Sequence, residues 1–506
     1  DCLSPTRNAH SPFPKWQQEM HCIELPHESY LSFGGLMRFR YLAWTNQQFG
    51  LGPDAGVPPG ALPFPGGPFP HHNNVYQLRI KPYMDLHLFN DKLRLFTALS
   101  YTKAWDDNHY DPVGQSYAEV HSLFLDYRLF NFDNAGGTGT LRFGRQEFGN
   151  MMAAGMNMTS REGENVRLTF DGFRFLWHNK DGYKIDAFAV RPVALNPYTQ
   201  VVQEANGNSY GEGIGSFNDS SDNHVRMYGI TGTVPWMHKD FSEEFYVINR
   251  NLNNIGAAAG DALAPTVADS YPGVNPIDGV PFTGGIPYNG GAGYAPGVSP
   301  ASAEHLFLGG TRLFGDPGNW HYTWDLMYEW GKLGQENINA WGVIGITGYQ
   351  FKNVKFSPTV NLQTIAASGG HAGDHEVRTF DPLYSSNGFY YGDNDSSWIS
   401  NILSIGPSVF LHFSPQFIGG PSVQMLWKQT SADAVYTAGM NALPGTVDDG
   451  SNFIGTLVGG QFQWRPSFAP FWSVMFEYDY IDAGGAIRNA GGRNMQYFSL
   501  SSFFMF

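Results

Sequence analysis

From Trp320 to Trp330 every second residue is a large aromatic or aliphatic one: Trp320, Tyr322, Trp324, Leu326, Tyr328 and Trp330, with His321, Asp325 and Glu329 set between them. A period of two belongs to a β-strand, whose successive side chains point to opposite faces, so this segment has one apolar face and one wet face. The same alternation recurs along the chain. Tyr76, Leu78, Ile80, Met84, Leu86 and Leu88 alternate with Gln77, Arg79, Lys81, Asp85 and His87. An Asn90-Asp91-Lys92 turn follows, and then Leu93, Leu95, Leu99 and Tyr101 alternate with Arg94 and Ser100. Residues 165–193 form a second hairpin pattern, joined at Asn179-Lys180-Asp181-Gly182, a good tight-turn sequence. Eighteen such segments can be placed, from 31–46 to 494–506, among them 139–149, 165–178, 353–367 and 396–412.

No run approaches the roughly 18 apolar residues that a membrane helix needs. Charged residues are 15% of the chain, below the roughly 25% of soluble domains, while aromatics also reach 15% and glycines number 61. The segments 47–72, 194–223, 253–302, 368–395 and 431–451 carry no strand pattern, and loops of that length count against a compact soluble fold. An all-β, antiparallel, up-and-down transmembrane barrel of about 18 strands accounts for all of this. Half of each strand faces lipid and half faces water, short turns lie at the periplasmic end, and the long loops are extracellular. The expected organisation is a periplasmic N-terminal segment, 1–30, followed by an outer-membrane barrel, 31–506. Phe498, Leu500, Ser502, Phe504 and Phe506 alternate to the last residue, the pattern of a terminal strand read by the barrel-insertion machinery. No signal peptide is present, so a mature chain is expected.

The two cysteines, Cys2 and Cys22, precede the first strand. In an oxidising periplasm they can pair, closing a loop worth roughly 3 kcal/mol; a lipid-modified Cys2 is the alternative. A net charge of -15 without a basic tail or stripe argues against a nucleic-acid partner. The Gly-, Pro- and Ala-rich stretch 253–302 reads as a surface loop or as a constriction folded into the barrel. His71-His72 reads as a solvated pair before a metal site. Asp393-Asn394-Asp395 and Asp219-Ser220-Ser221-Asp222 match no EF-hand loop. No motif joins a nucleophile to a base, and no cofactor signature is present, so neither catalysis nor a cofactor is expected.

Inside a barrel, rings of charge set which solutes enter. The alternation puts Arg38, Arg40, Arg79, Lys81, Arg94, Arg142 and Arg167 on the wet face. Arg145 and Arg174 join them if Gly144 and Gly172 reset the register, as bulges do. Candidate lumen carboxylates are Asp85, Asp126, Asp171, Asp186, Asp325, Glu329, Glu477 and Asp479. The cations fall in the first third of the chain, hence on adjoining strands of one wall. They can form a track for an anion, or pair with the acids and brace the wall.

One region has a family likeness. Leu141-Arg142-Phe143-Gly144-Arg145-Gln146-Glu147, Arg161-Glu162-Gly163-Glu164-Asn165-Val166-Arg167 and Phe170-Asp171-Gly172-Phe173-Arg174 resemble the alginate-export porin family. The resemblance implies an 18-stranded outer-membrane barrel and a basic pore wall at Arg142, Arg145, Arg167 and Arg174, with Asp171 as a partner. Better-known members pass a negatively charged polyuronate through an arginine-lined pore. The long Gly/Pro-rich loops, the cysteine-bearing N-terminal segment and the sparse charge of the second half depart from a dedicated alginate exporter. The expected function is passive passage of an anionic sugar or polysaccharide, in contact with outer-membrane lipid and lipopolysaccharide. The rivals are a barrel plugged by loops or filled by a periplasmic or surface partner protein, and a surface receptor whose loops do the work.

Overall fold

The computed structural model describes residues 14–51, 71–106, 116–132, 136–149, 158–159, 163, 165–194, 198–203, 209–214, 216–236, 240–253, 302–371, 374–386, 390–394, 396–437 and 441–506. Eighteen long antiparallel strands form one closed sheet. They are β1 (Ser29–Thr45), β2 (His72–Leu88), β3 (Leu93–Asp106), β4 (Ser116–Phe132), β5 (Gly137–Gln146) and β6 (Phe170–His178). The wall continues through β7 (Lys184–Ala194), β8 (Val225–Pro235), β9 (Phe241–Leu252), β10 (Glu304–Gly315), β11 (Trp320–Leu333) and β12 (Glu336–Gln350). It ends with β13 (Thr359–Ala367), β14 (Ile402–Ser414), β15 (Phe417–Trp427), β16 (Phe453–Trp464), β17 (Trp472–Ala483) and β18 (Met495–Met505). Each strand pairs with its neighbours in sequence, and β18 pairs with β1 from Leu36↔Met505 to Thr45↔Gln496. Closure leaves no unpaired edge, which is what a sheet in hydrocarbon requires. No helix among the described residues is long and apolar enough to cross a membrane.

The period-two pattern sorts the faces as its physics demands. Trp320, Trp324, Leu326, Tyr328 and Trp330 are exposed on the outside of β11, while Asp325 and Glu329 are fully buried inside. Short connections such as Phe89–Lys92 and Asn179–Tyr183 lie at one end. In the latter, Asn179 Oδ1 accepts hydrogen bonds from the Asp181 and Tyr183 amides, and Gly182 takes the left-handed φ of +93° that the reversal needs. At the same end the helix Lys15–Met20 docks on β18, Gln17 Nε2 donating to the Met505 carbonyl at 2.8 Å. A short strand, Ile23–Leu25, pairs with the start of β1.

Several expected strand ends move. β13 starts at Thr359 rather than 353, because Phe356 and Ser357 turn with positive φ. β5 stops at Gln146, β6 starts at Phe170 and β14 at Ile402. Beyond β5 and β13, the described residues of two inward segments, 147–149, 158–159, 163 and 165–169, and 368–371, 374–386, 390–394 and 396–401, turn into the barrel. Phe380, Leu383, Tyr384, Tyr390 and Tyr391 from the second pack with Met327, Ile338, Ile344, Ile365 and Phe170 of the wall, and with Phe148 and Met158 of the first. The extracellular half of the lumen therefore holds an apolar core. Residues 254–301, which carry the expected constriction, lie outside the described residues.

Candidate functional site

The lumen charges of β2–β6 lie in one cross-strand row. His87 is opposite Arg94, Arg94 opposite Asp126, Asp126 opposite Arg142, and Arg142 opposite Arg174. Residues directly opposite in an antiparallel sheet project from the same face, so side-chain pairing follows from the register. Arg94 Nε and Nη2 each donate to Asp85 at 2.8 Å. Arg142 Nε and Nη2 donate to Asp126 at 2.7 and 2.9 Å, and Arg174 does the same to Asp186 at 2.8 and 2.5 Å. These are bidentate forks, the strongest geometry available to the pair. Arg142 also lies over the Phe124 ring at 3.8 Å, and Arg94 over Phe96 at 5.3 Å.

Above this row Glu147, just past β5, gathers three basic side chains. Lys81 Nζ donates to it at 2.7 Å, Arg167 Nη2 is 3.2 Å away, and His121 Nε2 contacts its Oε1. Burial favours its neutral form, but His121, Arg167 and Lys81 outweigh that and hold the carboxyl well below the usual carboxylate range. Arg167 therefore acts from the inward segment and not, as its place in the expected strand 165–178 implied, from the wall itself.

On β1, Arg38 donates to the Gly163 carbonyl and to Asn165 Oδ1. Arg40 donates to Gly163 O at 2.6 Å, Asp393 Oδ2 at 2.6 Å and Tyr497 OH at 2.9 Å. Gly163 and Asp393 belong to the two inward segments, so these arginines fasten both to the wall. Arg79, fully buried, sits between Arg38 and Thr102 in register.

Arg145 and Asp171 do not line the lumen. Gly144 (φ +126°) and Gly172 (φ +151°) face each other and the pairing runs through them without a shift. A Cβ on either would meet a neighbouring carbonyl oxygen at 2.2 Å, so these glycines permit close strand approach and do not reset the register. Alternation then continues, and Arg145 shares the outward face of Phe143 and Asp171 that of Phe173, each ring 54% exposed. Arg145 donates to Asp171 there at 2.9 and 3.0 Å. Arg174 needs no reset to point inward.

From β9 onward the lumen holds a second set of charges, in which Glu244, Arg250, Glu304, Arg312 and Asp381 join the expected Asp325 and Glu329. Arg250 of β9, 1% exposed, donates to Glu304 at 2.7 and 2.9 Å and to Asp381 of the inward segment at 2.5 Å. The Asp381 amide donates to Glu329 Oε2 at 3.1 Å. Arg312 pairs with Glu244 at 3.0 Å, and Tyr246 OH donates to Asp325 at 2.7 Å. Alternation with the exposed Phe245 and Val247 already put Glu244 and Arg250 on the inner face. Ile248 shares that inner face with them. A cavity of about 220 Å³ lies across the lumen, lined by Gln363, Gln424, Gln461, Ser408, Glu477 and Asp479 among others, without a lysine or arginine.

Cys22 is buried against Tyr30 and is not free; Cys2 lies outside the described residues. Among the described residues no group of three or more His, Cys, Asp or Glu is placed to hold a metal.

Solved structures share this architecture. The outer membrane protein OpdK of Pseudomonas aeruginosa has a TM-score of 0.53 at 8% identity, with 94% of this chain and 98% of that one covered. A BenF-like porin from Pseudomonas fluorescens Pf-5 has 0.53 at 9%, covering 94% and 99%. OprD of Pseudomonas aeruginosa has 0.51 at 9%, covering 94% and 93%. At such identity the likeness carries the fold, that of outer-membrane porins. No curated protein matches the chain significantly. The family model for alginate export matches residues 70–501, nearly the whole barrel, and the chain belongs to the alginate export family of bacterial outer-membrane β-barrels.

Proposed function

We propose that this porin lets an anionic sugar or polysaccharide pass down its gradient, and that the arginine row of β2–β6 is the part of the lumen that meets it. What supports this reading is the way the row is built. A guanidinium has five N–H donors, and a bidentate carboxylate uses two of them. Asp126 takes Nε and Nη2 of Arg142, leaving Nη1 with no protein acceptor among the described residues. Asp85 and Asp186 fork Arg94 and Arg174 likewise, though there Nη1 reaches Asp126 at 3.4 Å and the Glu147 carbonyl at 3.5 Å respectively. The carboxylates fix the forks and temper their charge, and the remaining N–H groups meet carboxylate or hydroxyl oxygens of a passing solute. Weak, repeated contacts of this kind suit conduction, which needs entry without trapping. Arg38, Arg40, Lys81 and Arg167 have a different part in this reading: they anchor the inward segments that narrow the path. Nothing in it requires a cofactor or a catalytic group.

The test is the reversal potential of the purified barrel in a planar bilayer under a salt gradient, with a polyuronate added to one side. Anion selectivity and polymer block are expected, both reduced in Arg142→Gln. The paired variant Asp126→Asn/Arg142→Gln, which removes both charges, should lose block while keeping the wild-type net charge. Selectivity unchanged in both variants would overturn the assignment of the row. A second reading, a plugged barrel serving as a scaffold, is favoured by the apolar packing of 368–401 in the lumen; absence of current from a folded barrel would put it first.

A further inference from the structure

The outer surface of the barrel carries a second charged row, at the extracellular rim. Alternation from the exposed Tyr228 and Ile230 puts Arg226 of β8 on the outward face. Arg226 is opposite Asn251 of β9, Asn251 opposite His305 of β10, and His305 opposite Lys332 of β11. The row therefore crosses three interstrand steps, roughly 14 Å. Arg191 of β7, on the face of the exposed Ile185, extends it and donates to Asn223 Oδ1 at 2.9 Å. Arg226 and Lys332 are exposed, and neither has a carboxylate within ion-pair distance among the described residues.

The next outward positions down β8, β10 and β11 are aromatic, with Asn249 of β9 and Ala189 of β7 in the same row. Tyr228, Phe307 and Trp330 lie one pleat repeat, roughly 7 Å, below Arg226, His305 and Lys332. The Phe307 and Trp330 rings stack at 5.6 Å, and Tyr328 stacks on Trp330 at 6.2 Å. Below them come Phe245, Val247, Ile230 and Leu326, all exposed. Aromatic girdles sit at the membrane interface with acyl chains on their inner side, so the cationic row stands at the height of lipid headgroups. Outside β7–β11 two outward cations stand near this rim: Lys103 of β3, which lies over Trp105 and Tyr117, and Arg145 of β5, which is forked to Asp171, the residue opposite Arg191. The topmost outward positions of β14, β15, β17 and β18 are Leu403, Trp427, Asp482 and Gln496, with no lysine or arginine among them.

We propose that the rim of β7–β11 is a docking surface for lipopolysaccharide, with Arg191, Arg226 and Lys332 receiving the phosphates of its lipid A and the Phe307–Trp330 stack lying against its acyl chains. Charge complementarity selects this occupant: the chain as a whole is acidic at -15, yet here three cations face outward above an apolar belt. A zwitterionic phospholipid gives such a row no net charge to neutralise. The surface is separate from the lumen, so this assignment stands or falls independently of the solute.

The test is native mass spectrometry of the full-length barrel in mild detergent, titrated with bisphosphorylated lipid A, with its dephosphorylated form and with phosphatidylglycerol. The wild type is expected to bind bisphosphorylated lipid A in preference to the other two. Arg191→Gln/Arg226→Gln/Lys332→Gln should weaken that binding by at least about tenfold. Lys352→Gln/Lys355→Gln, at the opposite rim, should leave it unchanged. Heat-modifiable mobility on gels verifies that each variant is folded, and the single variants Arg226→Gln and Lys332→Gln, each expected to lose part of the affinity, give the answer should the triple variant misfold. Undiminished binding by the folded variants would overturn the proposal. So would equal binding of dephosphorylated lipid A, or of phosphatidylglycerol, by the wild type.

Discussion

At the scale of single residues, the lumen is organised by carboxylates. Asp126, Asp85 and Asp186 each hold an arginine in a fork, and Glu147 draws together Lys81, His121 and Arg167 from β2, β4 and an inward segment. The Glu147 carboxyl ionises below its ordinary range in the folded protein, so folding favours its charged form. Its stabilising contribution is complete above the ordinary carboxylate pKa of 4.5 and is lost as pH falls through the depressed folded value. Glu147→Gln should therefore be less stable than wild type at neutral pH, by about 1–3 kcal/mol. The two should converge in strongly acidic solution, as read by thermal unfolding across pH. A difference that persisted undiminished at the lowest pH would show that the loss is one of shape and not of charge. The alternation of hydrophobic and polar residues gave the inward placement of Arg94 and Arg142, but not the identity of their partners, which is a property of register.

At the scale of elements, the segment 368–401 is the one that differs most from a surface loop. It is secured by Asp381 on Arg250, by Asp393 on Arg40, and by Asp433 of the neighbouring loop, which accepts from the Gly370 amide at 2.7 Å and from Thr379 Oγ1 at 2.6 Å. Asp381→Asn removes one charge-assisted tie while leaving Arg250 its fork with Glu304. Single-channel recording should then show a larger or more fluctuating conductance than wild type, with the barrel still folded. An unchanged trace would mean that the other ties suffice. Nothing in the composition of 368–395 announced this fold-back, because Gly, Asp, Tyr and Ser serve equally well in a hydrated loop. The buried tyrosines Tyr384, Tyr390 and Tyr391 were the available signal, since large amphipathic rings seldom cluster without a surface to cover.

At the scale of the whole molecule, the barrel is fastened at its periplasmic end by the N-terminal segment, where Gln17 holds β18 and Cys22 packs on Tyr30. We propose that Cys2 and Cys22 are joined. The unfolded, unreduced protein should then resist alkylation, and reduction should lower its stability by roughly 3 kcal/mol. Alkylation at both cysteines without reductant would refute the pairing, and a lipid adduct on Cys2 would establish the alternative.

The sequence by itself determined the barrel. Period-two alternation, repeated eighteen times between short turns and long loops, leaves a chain no other way to put one face in hydrocarbon and one in water while pairing every backbone group. It also determined the family, through the arginine- and glycine-rich stretch at 141–174. Only the tertiary structure decided which charges meet. Parity assigns a side chain to a face, but a face is a pore wall only where the strand lies within the membrane and the glycines leave the register intact. That is why Arg145 and Asp171 turned outward and why Arg167 came to act from a loop. The filling of the lumen was decided there too, since an inward fold depends on contacts between residues more than a hundred positions apart, such as Arg250 and Asp381.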